Sequence, residues 1–436
     1  MMTEHTEQRP FGFWTATAMV VGVMIGAGIF ILPAQLAAYG AWSILAWVTA
    51  MAGSLLLAAV FVALHKARPK AAGAVALVEL GLGPLGGMLI GWSYWISVLT
   101  SNAFVALAAA SYATTFMPIL GAHPMAPGLF ACLLIAALTA LNILGPRAVG
   151  WFQVGSTVAK LAPLIFASGL IIYIFASGQT QVQPLPAVPL GDNLLAPLTM
   201  AMFALLGFEV ASLTAARVNR PEVNVPRATM TGLLIAGGLY MLLCTGMALA
   251  LPTTFLAGSS APFALLFDRF AFSGSGSLVA ACAVISAVGA LNGGILLQGE
   301  VPRTMALTGT LSPWFSRLNA RAMPVNTILL SSALSIGLVL TQLGSGLGEV
   351  LAFFITLTTA VSLWLYASIA LTGIRLGVAR WVAWGGLAFT LLVMWGTGWQ
   401  VSLLSLVLML SGLPFYRRRA RATTAKSSAA TAGPPG

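Results

Sequence analysis

Residues 20–33 read VVGVMIGAGIFILP, a long apolar run broken about halfway by Gly22, Gly26 and Gly28 and followed by Pro33. In hydrocarbon every backbone N–H and C=O must find an internal partner, so an unwound stretch is tolerated only where it lines a cavity or is buried in protein. A second run, AMFALLGFEVAS at residues 201–212, is interrupted in the same way around Gly207. One Gly-x-Gly is equally explained by glycines that let helices pack closely. Two breaks at corresponding places point instead to a binding site at the bilayer midplane, between repeated halves of the chain. There the positive N-terminus of a half-helix meets a carboxylate, and free carbonyls meet an ammonium. An α-amino acid offers both groups.

The rest of the chain fits this setting. Of 436 residues, 59% are hydrophobic and 7% charged, and mean hydropathy is +0.97. A soluble domain carries about 25% charge, so the expected class is an all-α polytopic membrane protein. The first run, residues 11–38, is too long for a cleaved secretory signal, and its Pro33 and glycines come too early. Hydropathy places twelve transmembrane helices near 12–38, 42–64, 86–116, 126–145, 152–176, 194–215, 228–251, 277–299, 325–343, 347–373, 381–397 and 399–415.

Charge fixes the orientation. With the N-terminus cytoplasmic, every basic residue except Arg269 and Lys160 falls in an even-numbered loop or a terminus, from Arg9, Lys66, Arg68 and Lys70 to Arg375, Arg380 and the cluster Arg417, Arg418, Arg419 and Arg421. The net charge of +11 is therefore the positive-inside pattern of an inner-membrane protein with both termini cytoplasmic, and no nucleic-acid partner is implied. The expected organisation is a cytoplasmic stretch 1–11, a transport core 12–373 with repeats 12–176 and 194–373, helices 11 and 12 at 381–415, and a basic tail 416–436 that should be disordered. Cys132, Cys244 and Cys282 lack pairing or metal-like spacing, and His5, His65 and His123 read as terminal or loop residues, so no metal or cofactor is expected.

Lys160 is the only charged residue between Arg147 and Asp192. A cation at membrane depth costs roughly 3 kcal/mol on insertion scales. Lying about 8 residues, or about 12 Å, into its helix, it would have to strain to snorkel outward. It reads as facing a cavity, a partner or carbonyls.

The stretches VGVMIGAGIFILPAQLAAYG, LNILGPRAVGWFQVGSTVAKL, GFEVASLTAARVNRPEVNVPRA, SSAPFALLF and RTMALTGTLSPWFSRLNARAMPVNT resemble the amino acid–polyamine–organocation transporters, in particular their basic amino acid/polyamine antiporter branch. The likeness runs from Gly12 to Gly373. It implies the leucine-transporter-type fold, two inverted five-helix repeats followed by helices 11 and 12. It also implies roles. Gly26, Ala27 and Gly28 would hold a substrate carboxylate through their N–H groups. Carbonyls at Val23, Met24 and the helix 6 break would hold the amine. Phe203 would be the aromatic gate with Leu206 beside it, Asn102 a substrate contact, Glu209 a carboxylate behind the gate, and Lys160 a substitute for the sodium of sodium-coupled relatives.

Lys160 departs from the branch's arginine/agmatine antiporters, whose helix 5 is uncharged there, and two pocket positions depart as well. Gly294 stands where they have a tryptophan and Val23 where they have an asparagine. Losing an aromatic face removes a cation–π partner worth about 0.5–2 kcal/mol, so the expected pocket is roomier and more apolar, suited to neutral amino acids. A basic amino acid/polyamine antiporter is the alternative. Glu300 and Arg303, three residues apart at the cytoplasmic end of helix 8, read as a loop anchor or ion pair. A membrane enzyme would need clustered His, Asp or Glu at membrane depth, and a nucleotide-driven pump a phosphate loop. Neither pattern is present. A non-transporting sensor would carry a sizeable cytosolic output segment. The partners expected are an amino acid substrate, the lipid bilayer and, as a candidate, a second copy of the chain.

Overall fold

The structure, a computed structural model, describes residues 12–68, 71, 73–144, 146–186, 195–209, 218–321 and 323–416, with the backbone alone at 146–159 and 221. The expectations for residues 1–11, for Lys70 and Arg217, for the helix 6 stretch 210–215 and for the tail beyond Tyr416 lie outside this set, as does the Arg147 side chain.

The first apolar run folds as two helices, α1 (Phe13–Met24) and α2 (Gly28–Ala37), bent by 50°. Long helices follow: α3 (Ala41–Ala67), α4 (Ala74–Ala113), α6 (Ala126–Ile143) and α7 (Pro146–Ala176), with the short α5 (Ile119–Ala122) between α4 and α6. The second broken run begins as α8 (Leu195–Leu205) and unwinds over residues 206–209. Then come α9 (Pro221–Ala250), the short α10 (Thr253–Ala257) and α11 (Pro262–Phe270), α12 (Ser275–Leu307), α13 (Val325–Leu340), α14 (Leu347–Arg375), α15 (Arg380–Gly396) and α16 (Trp399–Leu410). Among the described residues six helices are long and apolar enough to cross a membrane, or eight if each bent pair is one span.

Local chemistry explains the breaks. In α4 the kink falls at Gly83, whose φ of 77° favours glycine, before Pro84, which has no N–H to continue the ladder. Glu79 therefore lies in the N-terminal part of α4, before the kink. α15 and α16 meet at 113° around Gly398, so the short Gly-Thr-Gly break does divide them. His65 corrects the sequence reading: it is a buried residue in the last turn of α3 rather than a loop residue. Glu300 and Arg303 form the expected ion pair, at 2.8 Å.

α4 packs on α14 and α12, α1 on α9, and α12 on α7. With little hydrophobic gain between helices in lipid, small residues and hydroxyls hold such contacts. Ser93 Oγ donates to Val361 O at 2.9 Å and Thr358 Oγ1 to Thr100 Oγ1 at 2.9 Å. Tyr112 ties three elements together. Its hydroxyl donates to Phe30 O on α2 at 2.7 Å and accepts from Phe263 N on α11 at 3.3 Å.

Gly53 of α3 lies directly beneath the Phe389 ring of α15, where a Cβ would overlap it. Gly53→Ala is expected to destabilise the protein by about 1–3 kcal/mol, read as a lower Tm of the detergent-solubilised protein. An unchanged Tm would show that this contact yields without cost.

Candidate functional site

The two helix breaks meet at one cavity of about 230 Å³. All nine residues expected at the substrate site line it: Val23, Met24, Gly26, Ala27 and Gly28 from the α1–α2 break, Asn102 from α4, Phe203 and Leu206 from the α8 break, and Gly294 from α12. Glu209 lines it as well. Lys160 stands behind the break, where its Nζ donates to Gly22 O at 2.6 Å. That hydrogen bond is the one the described residues give it, and its partner is a carbonyl, as its place in an apolar helix suggested.

Glycine is needed where the breaks touch. Gly207 has φ +101°, and a Cβ there would lie 3.0 Å from Val23 Cγ1. A Cβ on Gly28 would lie 3.0 Å from Phe203 Cε1, so the aromatic ring rests on bare backbone. Phe203 also meets Phe104 edge-on, with centroids 4.9 Å apart.

The main-chain groups of the first break are only partly open. Met24 O accepts from Gly26 N–H at 2.9 Å and from the Tyr240 hydroxyl at 3.1 Å. This differs from the sequence expectation, in which the Met24 carbonyl met the substrate amine and the Gly26 N–H its carboxylate: a tight turn and a tyrosine already engage both. Val23 O and the N–H groups of Ala27 and Gly28 have no main-chain partner among the described residues.

Glu209 is buried in the cavity wall and tied to α14. The Tyr366 hydroxyl donates to its Oε2 at 2.8 Å, accepts from Gly207 N at 3.4 Å, and the Tyr366 ring stacks on Phe208 with centroids 5.1 Å apart. Tyr94 of α4 completes this end of the cavity.

Gly294 overturns one inference. A Cβ at this position would overlap the Asn102 side-chain oxygen, so the room left by the missing aromatic is already filled by an amide. The lining is also more polar than expected. Ser97 and Ser101 of α4, Thr358 and Ser362 of α14 and Tyr240 of α9 all face the cavity. The sequence reading passed over them because Ser and Thr in apolar helices usually serve as packing glue. Their spacing held the signal: Thr358, Ser362 and Tyr366 recur every fourth residue, on one helical face.

Comparison with known proteins gives the family. The profile of the amino acid permease family matches residues 11–431. A putative arginine/ornithine antiporter of Bacillus subtilis is 28% identical over 363 residues, covering 76% of each chain. The cadaverine/lysine antiporter of Escherichia coli K12 is 25% identical over 74% of this chain and 73% of its own. The putrescine transporter PotE of the same organism is 26% identical over 94% of this chain and 96% of its own. With a cavity formed where two broken helices meet and a family match along nearly its whole length, this multi-pass membrane protein belongs to the amino acid permease family.

Proposed function

We propose that the protein is a sodium-independent secondary transporter of the inner membrane that exchanges basic amino acids and polyamines by alternating access around its two broken helices. The frame is twelve spans, as two inverted five-helix repeats followed by two further helices, with both termini cytoplasmic. The observation that carries the reading is that both helix breaks share one cavity with the acceptors of Asn102 and Glu209. A cation entering a site of low dielectric constant must exchange its water for acceptors, and these groups, with the hydroxyls of Ser97, Ser101, Thr358 and Ser362, supply them. Relatives whose names specify arginine/ornithine, cadaverine/lysine and putrescine support the same substrates. The neutral preference argued from Gly294 and Val23 is the second reading. Val23, Val98, Leu206 and Leu297 give it an apolar wall, but the vacancy it relied on at Gly294 is filled.

Competition for uptake into proteoliposomes by lysine, arginine, putrescine, leucine and methionine at equal concentration separates the two. Basic amino acids and polyamines should compete best. Stronger inhibition by leucine or methionine returns the protein to the neutral reading.

Lys160 holds a fixed positive charge on the Gly22 carbonyl, the role a bound cation would otherwise fill. Replacing sodium by choline should leave the transport rate unchanged, and Lys160→Ala should abolish or uncouple exchange. A rate that follows the sodium concentration rules this out.

Glu209 is a buried carboxyl in the cavity wall, held by Tyr366. If it exchanges a proton during the cycle, Glu209→Gln should flatten the pH–rate curve while substrate still binds. A mutant that keeps the wild-type pH profile would reduce Glu209 to a packing role.

A further inference from the structure

Gln298 lies on α12 one turn after Gly294 and is fully buried. Its backbone carbonyl is fixed from two sides, accepting from Trp95 Nε1 at 3.0 Å and from Ser331 Oγ at 3.1 Å. Its side chain bridges to the cavity. Gln298 Nε2 donates to Ser332 Oγ at 2.7 Å, while Gln298 Oε1 accepts from Asn102 Nδ2 at 2.7 Å. Ser332 in turn accepts from Thr139 Oγ1 of α6 at 2.6 Å. The chain Thr139, Ser332, Gln298, Asn102 therefore runs from α6 through α13 and α12 to a residue of α4 at the cavity wall.

A polar chain this deep is costly unless every member is satisfied, and three of these four residues do not touch the cavity. Its inner end explains it. One N–H of the Asn102 amide is held by Gln298 Oε1, so turning the amide over would set its oxygen against that acceptor and lose the bond. Its oxygen lies over Gly294, where only a glycine leaves room. Among the described residues nothing donates to that oxygen. We infer that Gln298 is a positioning residue: it clamps Asn102 over Gly294 so that the amide oxygen, and not the amino group, is presented to the substrate. The group selected is a hydrogen-bond donor at the far end of the substrate, such as a side-chain ammonium or guanidinium. This rests on the basic-substrate reading of the cavity and adds the device that would enforce it.

The test uses the purified full-length protein and isothermal titration with two ligands of the same carbon chain, lysine and norleucine, which differ by the terminal ammonium. Gln298→Met keeps the length and removes the acceptor. It should cut the preference for lysine over norleucine roughly tenfold, the size of one hydrogen bond to a charged group, and leave norleucine binding nearly unchanged. Asn102→Ala should do the same, and the double variant should lose no more than Asn102→Ala alone. Gln298→Glu retains an oxygen for Asn102 and should retain the preference. If Gln298→Met does not fold, Gly294→Ala dislodges the Asn102 oxygen without touching Gln298 and must show the same loss. Additive losses in the double variant, or equal weakening of both ligands by Gln298→Met, overturn the clamp. A wild-type protein that binds norleucine as tightly as lysine overturns the basic-substrate reading instead. The clamp is then judged with glutamine, whose terminal amide also donates: a preference over norleucine that Gln298→Met and Asn102→Ala remove non-additively supports it, and no such preference, or additive losses, overturns it.

Discussion

A helix that breaks at membrane depth releases main-chain groups that lipid cannot satisfy, and something else must claim them. Around the α1–α2 break the claimants come from three different helices. Lys160 of α7 takes Gly22 O, Tyr240 of α9 takes Met24 O, and Tyr112 of α4 takes Phe30 O. Each donor sits at the end of a long side chain, which lets its own helix stand back and leave space. The cavity is the room that remains once these reaches have been made. The packing of α1 on α9 and of α4 near α2 follows from the same contacts.

The two sides of that cavity are chemically unlike. One is main chain and aromatic ring: the open groups of the first break, with Phe203 laid on Gly28. The other is side chain, running from Asn102 through the hydroxyls of α4 and α14 to Glu209 and Tyr366. Under the proposed function, the first side would meet what every α-amino acid has in common and the second the part in which amino acids differ. Glu209 links the two, because the turn that carries it also carries Gly207, whose N–H reaches the same tyrosine that holds the carboxyl.

Much of this was legible in the sequence, for reasons specific to membranes. Backbone satisfaction makes each helix announce itself as an apolar run, and the helix bounds follow hydropathy closely: 42–64 became Ala41–Ala67, and 347–373 became Leu347–Arg375. The paired glycine breaks pointed to a midplane site, and the resemblance to a transporter family supplied the residues that line the cavity. Side-chain geometry was not legible. Gly294 read as empty space because a sequence shows which side chain is missing and not which neighbour moves in. Met24 O read as free because no local pattern announces a tyrosine 216 positions away. Gln298 attracted no notice, since a lone glutamine in a helix gives no spacing to interpret.

The seat of Asn102 over Gly294 also constrains how such a pocket can change over generations. In this chain any side chain at position 294 would push the amide from its present seat, and the bond to Gln298 would be disturbed with it. The three positions are mutually conditional, so the order in which they are replaced matters. A replacement at any one of them is therefore felt at the other two, and the wall of the pocket changes as a set rather than residue by residue.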